Sequence, residues 1–72
     1  MKKVKGLHEA AAQHFEKAAE HHRMAAEHLE EGEHESAAHH ATLAYGHTLH
    51  GHEHAANATK AYIELHEEAV AA

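Results

Sequence analysis

From Ala11 to Glu31 the chain writes one seven-residue template three times: two alanines, a polar residue, histidine, a larger residue, then two further positions rich in charge. Ala11, Ala18 and Ala25 hold one phase of the repeat, and His14, His21 and His28 hold another three residues on. A strict heptad on a helix marks a seam that faces a second helix. Here the seam alternates alanine with histidine. Glu9, Gln13, Glu16, Glu20, Arg23, Glu27 and Glu30 fall on the far side and form a solvated face. The pattern predicts a first helix over about residues 6–31.

The second half keeps the same period. His40, His47 and His54 recur every seven residues, as do Ala37, Ala44, Gly51 and Ala58. Gly46 and Gly51 raise the alternative of three short helices. A break would reset the phase, however, and the repeat passes through both glycines without a slip. The expectation is a single second helix over about residues 33–70. Between the two, EEGEHES reads as a tight turn over residues 32–35. Gly32 is suited to a left-handed helix C-cap, and Ser36 is a candidate N-cap. Folding the second helix back pairs positions whose residue numbers add to 65. His28 then faces Ala37, Ala25 faces His40, His21 faces Ala44, Ala18 faces His47, His14 faces Gly51, Ala11 faces His54 and Leu7 faces Ala58. Each larger side chain meets a small one, which predicts close helix approach.

The two helices are unequal, about 39 Å and about 57 Å at ~1.5 Å per residue. Residues beyond about Thr59 are expected to lack a partner within the hairpin, although Tyr62, Ile63, Leu65 and Val70 lie there. Phe15, Leu29, Tyr45 and Leu49 sit on outer faces. A second copy would cover this apolar surface, so the expected fold is all-α: an antiparallel two-helix hairpin with a longer second helix, dimerising into a four-helix bundle. The basic start, residues 1–5, places cations at a helix N-terminus, where the dipole disfavours them. It is expected to fray, with Val4 in the tail, leaving residues 6–72 as one helical-hairpin domain.

Composition narrows the picture. At 72 residues the chain is short for a self-sufficient core, and without cysteine it has neither disulfides nor thiolate ligands to staple it. Metal and oligomerisation remain as supports. A net charge of −6 argues against nucleic acid as a partner. No apolar run has the length of a membrane span or the form of a signal peptide, and a cytoplasmic location is expected. Thirteen histidines give the charge an unusual sensitivity to mild acid.

The chemistry must come from those histidines. Ser36 is the lone serine, and neither aspartate nor cysteine occurs, so nucleophile triads cannot be assembled. His34 to His39 resembles a zinc-protease HExxH motif stretched by one residue, which turns the two imidazoles about 140° apart on a helix. The Glu-x-x-His of di-metal bundles occurs at Glu31–His34, across the turn. His47, His50 and His54, by contrast, have spacings of three and four and share one helix face. The register brings His14 to their level, with Gly51 leaving room beside it. Four neutral imidazoles suit zinc, nickel or copper. The function expected is therefore a non-enzymatic, histidine-rich protein binding a divalent transition metal at His14, His47, His50 and His54. The alternative is a metal-free assembly module whose histidines pack against one another or respond to pH. His34, His39, His52 and His66 read as solvated or rim residues, and His8 and His22 as candidates for a dimer interface.

The stretch AAEHHRMAAEHLEEGEHESAAHHA, residues 18–41, resembles a group of short alanine- and histidine-rich bacterial proteins of unknown function. They share AAxHH repeats, a glycine turn and AAxHHA. The resemblance extends over about residues 11–55 and implies a helical hairpin, with no activity attached to it.

Overall fold

Two helices account for the fold in the computed structural model, which describes the backbone of residues 1–71 and the side chains of residues 1–67. α1 spans Lys2–Glu30 and α2 spans His34–Ala71. They lie against each other as an antiparallel hairpin, a rod of 61 × 14 × 11 Å between Cα extremes. α2 runs unbroken through Gly46 and Gly51, as the unslipped heptad predicts.

The buried positions are the small members of the expected register. Ala11, Ala18 and Ala25 of α1 are buried, as are Ala37, Ala44 and Ala58 of α2, and Gly51 is buried with them. The histidines that face them are half-buried. Among the described residues no large side chain is fully buried, so the core is a line of methyl groups.

The turn is built by Gly32, whose φ of +79° lies in the left-handed region where a Cβ is disfavoured. The Glu33 N–H donates to the His28 carbonyl at 2.8 Å, and the Gly32 N–H donates to the Leu29 carbonyl at 3.1 Å. This Schellman pair satisfies carbonyls that the end of α1 would otherwise leave open. Glu33, not Ser36, occupies the N-cap position of α2: its carbonyl accepts from the Ala37 N–H at 3.0 Å, and Ser36 lies inside the helix.

The N-terminus departs from expectation. α1 starts at Lys2, four residues before the expected Gly6, and Val4 is 5% exposed. Val4 stands seven residues before Ala11 and pairs with Ala61 in the same register. It packs with Ala58 and Ala61, and Leu7 lies against that cluster. Burying a valine contributes about 1.5–3 kcal/mol, which outweighs the fractions of a kcal/mol lost by placing lysines at a helix N-terminus. The unpartnered part of α2 is correspondingly shorter, since Ala61 is covered and Leu65 lines a shallow hollow with Met1 and Lys3. Tyr62 and Ile63 remain about half exposed. Val70, expected to extend this apolar stripe, lies outside the described side chains.

The hole at Gly51 is not left empty. A Cβ there would lie 2.6 Å from Phe15 Cε1, because the Phe15 ring rests on the glycine. At Gly46 nothing stands within 4 Å of the same construction. Replacing a helical glycine by alanine gains about 0.5–1 kcal/mol. Gly46→Ala should therefore raise the melting temperature by several degrees, at about 4–8 °C per kcal/mol for a chain of this size. Gly51→Ala should gain less, or lose, because its methyl displaces Phe15. Thermal melts followed by circular dichroism decide it: equal gains at the two positions would be incompatible with Phe15 packing on Gly51.

Candidate metal centre

Each imidazole of the seam lies opposite a methyl group or a hydrogen atom, so it turns along the rod axis and meets the histidine one level away. The result is a continuous file. His28 stacks on His40 at 5.3 Å between ring centroids, His40 on His21 at 5.2 Å and His21 on His47 at 5.7 Å. His47 then meets His14 at 5.3 Å, and His14 stacks on His54 at 5.2 Å. Two contacts are close enough for hydrogen bonds: His14 Nδ1 to His47 Nδ1, and His21 Nδ1 to His40 Nδ1, both 3.0 Å. In each pair one ring donates its N–H and the other accepts, which requires at least one ring to be neutral at Nδ1.

His14 is the most connected member. It lies 5.3, 5.2 and 5.2 Å from the rings of His47, His50 and His54, so the four residues singled out by spacing do gather around one point of the hairpin. α2 supplies three of them from consecutive turns of one face, and α1 supplies the fourth from across the seam. Imidazoles that share a tetrahedral ion sit about 5 Å apart centre to centre, given zinc–nitrogen bonds of ~2.0–2.1 Å. The room expected at Gly51 is not part of this site, because Phe15 fills it and meets His52 edge-on at 5.5 Å. His50 stands at the margin, 60% exposed, with its Nδ1 3.8 Å from Glu53.

Electrostatics favour the neutral form at two positions of the seam. Partial burial pushes the His14 pKa below its ordinary 6.5, and the possible charges of His50, His47 and His54, with that of Lys17, push it the same way. His40 is lowered too, first by partial burial and then by His21, His28 and His39. Neutral imidazole is the form that stacks, accepts a hydrogen bond and ligates a metal.

A second cluster lies at the turn and was not legible in the spacing. His28, Glu31 and Glu33 bring donor atoms within 4.8 Å of one another, a closeness that the His14 group does not reach as it stands. His28 Nδ1 is buried without a hydrogen-bond partner, 3.6 Å from Glu33. Glu31 and Glu33 share a hydrogen bond: this and the negative charge of Glu33 raise the Glu31 pKa, while the bond from Glu31 lowers that of Glu33. His28 and Glu31 are three apart on α1, which the sequence displays. Glu33 joins them because the left-handed Gly32 turns the chain back over the helix end, and spacing alone does not display that.

Comparison with family models, with curated proteins and with solved structures returns no match.

The lowered pKa values fix how stability should depend on pH. His14 and His40 hold protons less tightly folded than unfolded, so the unfolded chain binds more protons as the medium acidifies. Stability is then full above the ordinary value of 6.5 and declines as pH drops through it toward the folded values. Melting should be lower at about pH 5.5 than at about pH 7.5, a window above the carboxylate range. Ring-proton titration by NMR should place His14 and His40 below 6.5. A melting temperature that rises on acidification would mean the file is stabilised as cations.

Proposed function

We propose that this chain is a non-enzymatic, histidine-rich protein that binds a divalent transition metal ion between its helices, with His14, His47, His50 and His54 as ligands and zinc, nickel or copper as the ion. The observation that carries this reading is the position of His14, whose ring lies 5.2–5.3 Å from three imidazoles of the opposite helix. Two supports join it. The depressed pKa of His14 favours the neutral, ligating form at pH 7. The 3.0 Å approach of two Nδ1 atoms across the seam sets one pair of donors at a separation that a single ion can bridge. Binding requires His50 and His54 to turn about their side-chain torsions, and His50, being exposed, is free to do so.

A second reading is favoured by the paired Nδ1 contacts at both His14–His47 and His21–His40. On this reading the file needs no ion: it is a metal-free module held by stacked neutral rings and loosened when they are protonated. In either case we propose that the working form is a homodimer, a four-helix bundle in which the second copy covers the large apolar side chains that the hairpin leaves in water.

Calorimetric titration of untagged protein with zinc and with nickel tests the metal site. His50→Ala should lower affinity at least about tenfold, the lower end of what loss of a supporting group costs a metal site. His66→Ala, far along α2, should leave affinity unchanged, and so should Glu31→Gln at the turn. Bound metal should raise thermal stability, by about 2.7 kcal/mol at a free concentration a hundredfold above the dissociation constant, and binding should release protons. Equal affinity in wild type and His50→Ala, or none tighter than about millimolar, removes the site and leaves the metal-free reading. Loss of binding in Glu31→Gln places the ion at the turn instead.

A further inference from the structure

The hairpin has two broad sides, and charge divides them. On α1, between His8 and Leu29, the positions that flank the seam on one side carry histidine, phenylalanine, leucine and alanine; Phe15, His22 and Leu29 are the large ones. On α2, between Ala38 and Tyr62, the matching positions carry alanine, threonine, Tyr45, His52 and Tyr62. In an antiparallel pair these two rows fall on the same side of the rod. The edge-on contact of Phe15 with His52, and the Phe15 ring over Gly51, join them across the seam. Over this stretch the side has no Asp, Glu, Lys or Arg. The opposite side carries Lys17, Glu20, Glu53, Lys60 and Glu64, and a hollow there is lined by Lys3, Asn57, Lys60 and Glu64.

The uncharged side exposes more of the large apolar groups than the opposite side, where Met24 and Leu43 are exposed. Phe15 is 38%, Leu29 55%, Tyr45 64% and Tyr62 48% exposed, with Leu49 and Ile63 at the margin. Its one interior hydroxyl between Tyr45 and His52 makes no demand on a partner, since Thr48 Oγ1 donates to the Ala44 carbonyl at 3.0 Å. A hairpin whose buried core is one valine and a line of alanines gains little from burial within itself. The side that would supply the missing burial is a continuous strip.

We infer that this uncharged side is a self-docking surface whose occupant is the same side of a second copy of the chain. The inference rests on the homodimer proposed above and assigns the face through which it forms. Three features select a second copy. The chain carries a net charge of −6, so two copies repel unless they meet where the charge is absent, and every glutamate lies off this strip. The strip is rimmed by charge along α1, at Glu9, Glu16, Arg23 and Glu30, and by the apolar Leu49 and Ile63 along α2, so a second copy is steered toward the α2 edge. Over residues 38–62 the strip is about 36 Å long at ~1.5 Å per residue and 14 Å wide, a footprint of about 500 Å² per copy, at the small, reversible end of specific interfaces.

Tyr45 and Leu43 supply the test. Both are apolar and exposed on α2, two residues apart, but they project from different sides of the hairpin. Sedimentation equilibrium across micromolar concentrations should show wild type as a dimer. Tyr45→Lys should weaken the dimer at least about 100-fold, since it carries a charge into a desolvated interface, and Leu43→Lys should leave it unchanged. A wild-type dimer that Leu43→Lys dissociates and Tyr45→Lys does not would overturn the face while keeping the dimer. Equal weakening by both would overturn it too. A wild-type monomer would overturn the dimer itself, and with it this inference. The same monomer binding to phosphatidylcholine vesicles would name a lipid surface as the occupant instead.

Discussion

At each level of this hairpin an imidazole is set against a methyl group or a bare glycine, and the alternation runs without a slip from His28 opposite Ala37 to Ala11 opposite His54. Small residues let the two backbones draw close. Close backbones leave no depth in which a side chain can be buried outright, so the histidines lie along the seam, half-buried and stacked. A leucine seam would have made a deeper and drier core. The alanine seam makes a shallow one lined with ring nitrogens. The file of histidines is therefore a direct consequence of the packing, and any chemistry it has is tied to the register that holds the helices together.

The constraint reaches the electrostatics as well. Rings 5.2–5.7 Å apart cannot all be charged at low cost, and partial burial adds to the penalty. At His14 and His40 the fold thus favours the neutral ring. The same nitrogens that receive a proton in acid are those a transition metal would take at neutral pH. Protons and metal act in opposite directions on one structure: an ion shared by α1 and α2 would cross-link the seam, whereas protonation sets like charges along it.

The hairpin, its turn at Gly32 and its register were legible in the sequence because each follows from period and from one backbone requirement. Residue numbers adding to 65 identify every buried alanine between Ala11 and Ala58. Three things were not legible. Val4 is flanked by lysines, and the unfavourable charge at a helix start hid the fact that Val4 keeps the heptad phase. Phe15 sits beside the seam, and periodicity gives a side chain's direction from the axis but not that its ring will swing over Gly51. Glu33 reaches His28 because of the chain reversal, which brings together residues that share no helical face. The grouping of His14 with His47, His50 and His54 was legible in the register; the directions of their donor atoms were not, because these depend on side-chain torsions that no spacing encodes.

The two proposed roles meet in one turn of α1. His14 touches His47, His50 and His54 within the seam, and the next residue, Phe15, covers Gly51 and meets His52 on the uncharged side. Gly51 is the smallest position of the seam, and there Phe15 reaches inward from the outer side. A side chain larger than hydrogen at residue 51 would push Phe15 outward, into the strip through which we infer that copies dock, and would do so beside the histidines proposed as metal ligands. Glycine at this position thus leaves the space across the seam from His14 that the Phe15 ring occupies. That is a physical reason for α2 to carry a glycine in mid-helix, where helix propensity alone would favour alanine by about 1 kcal/mol.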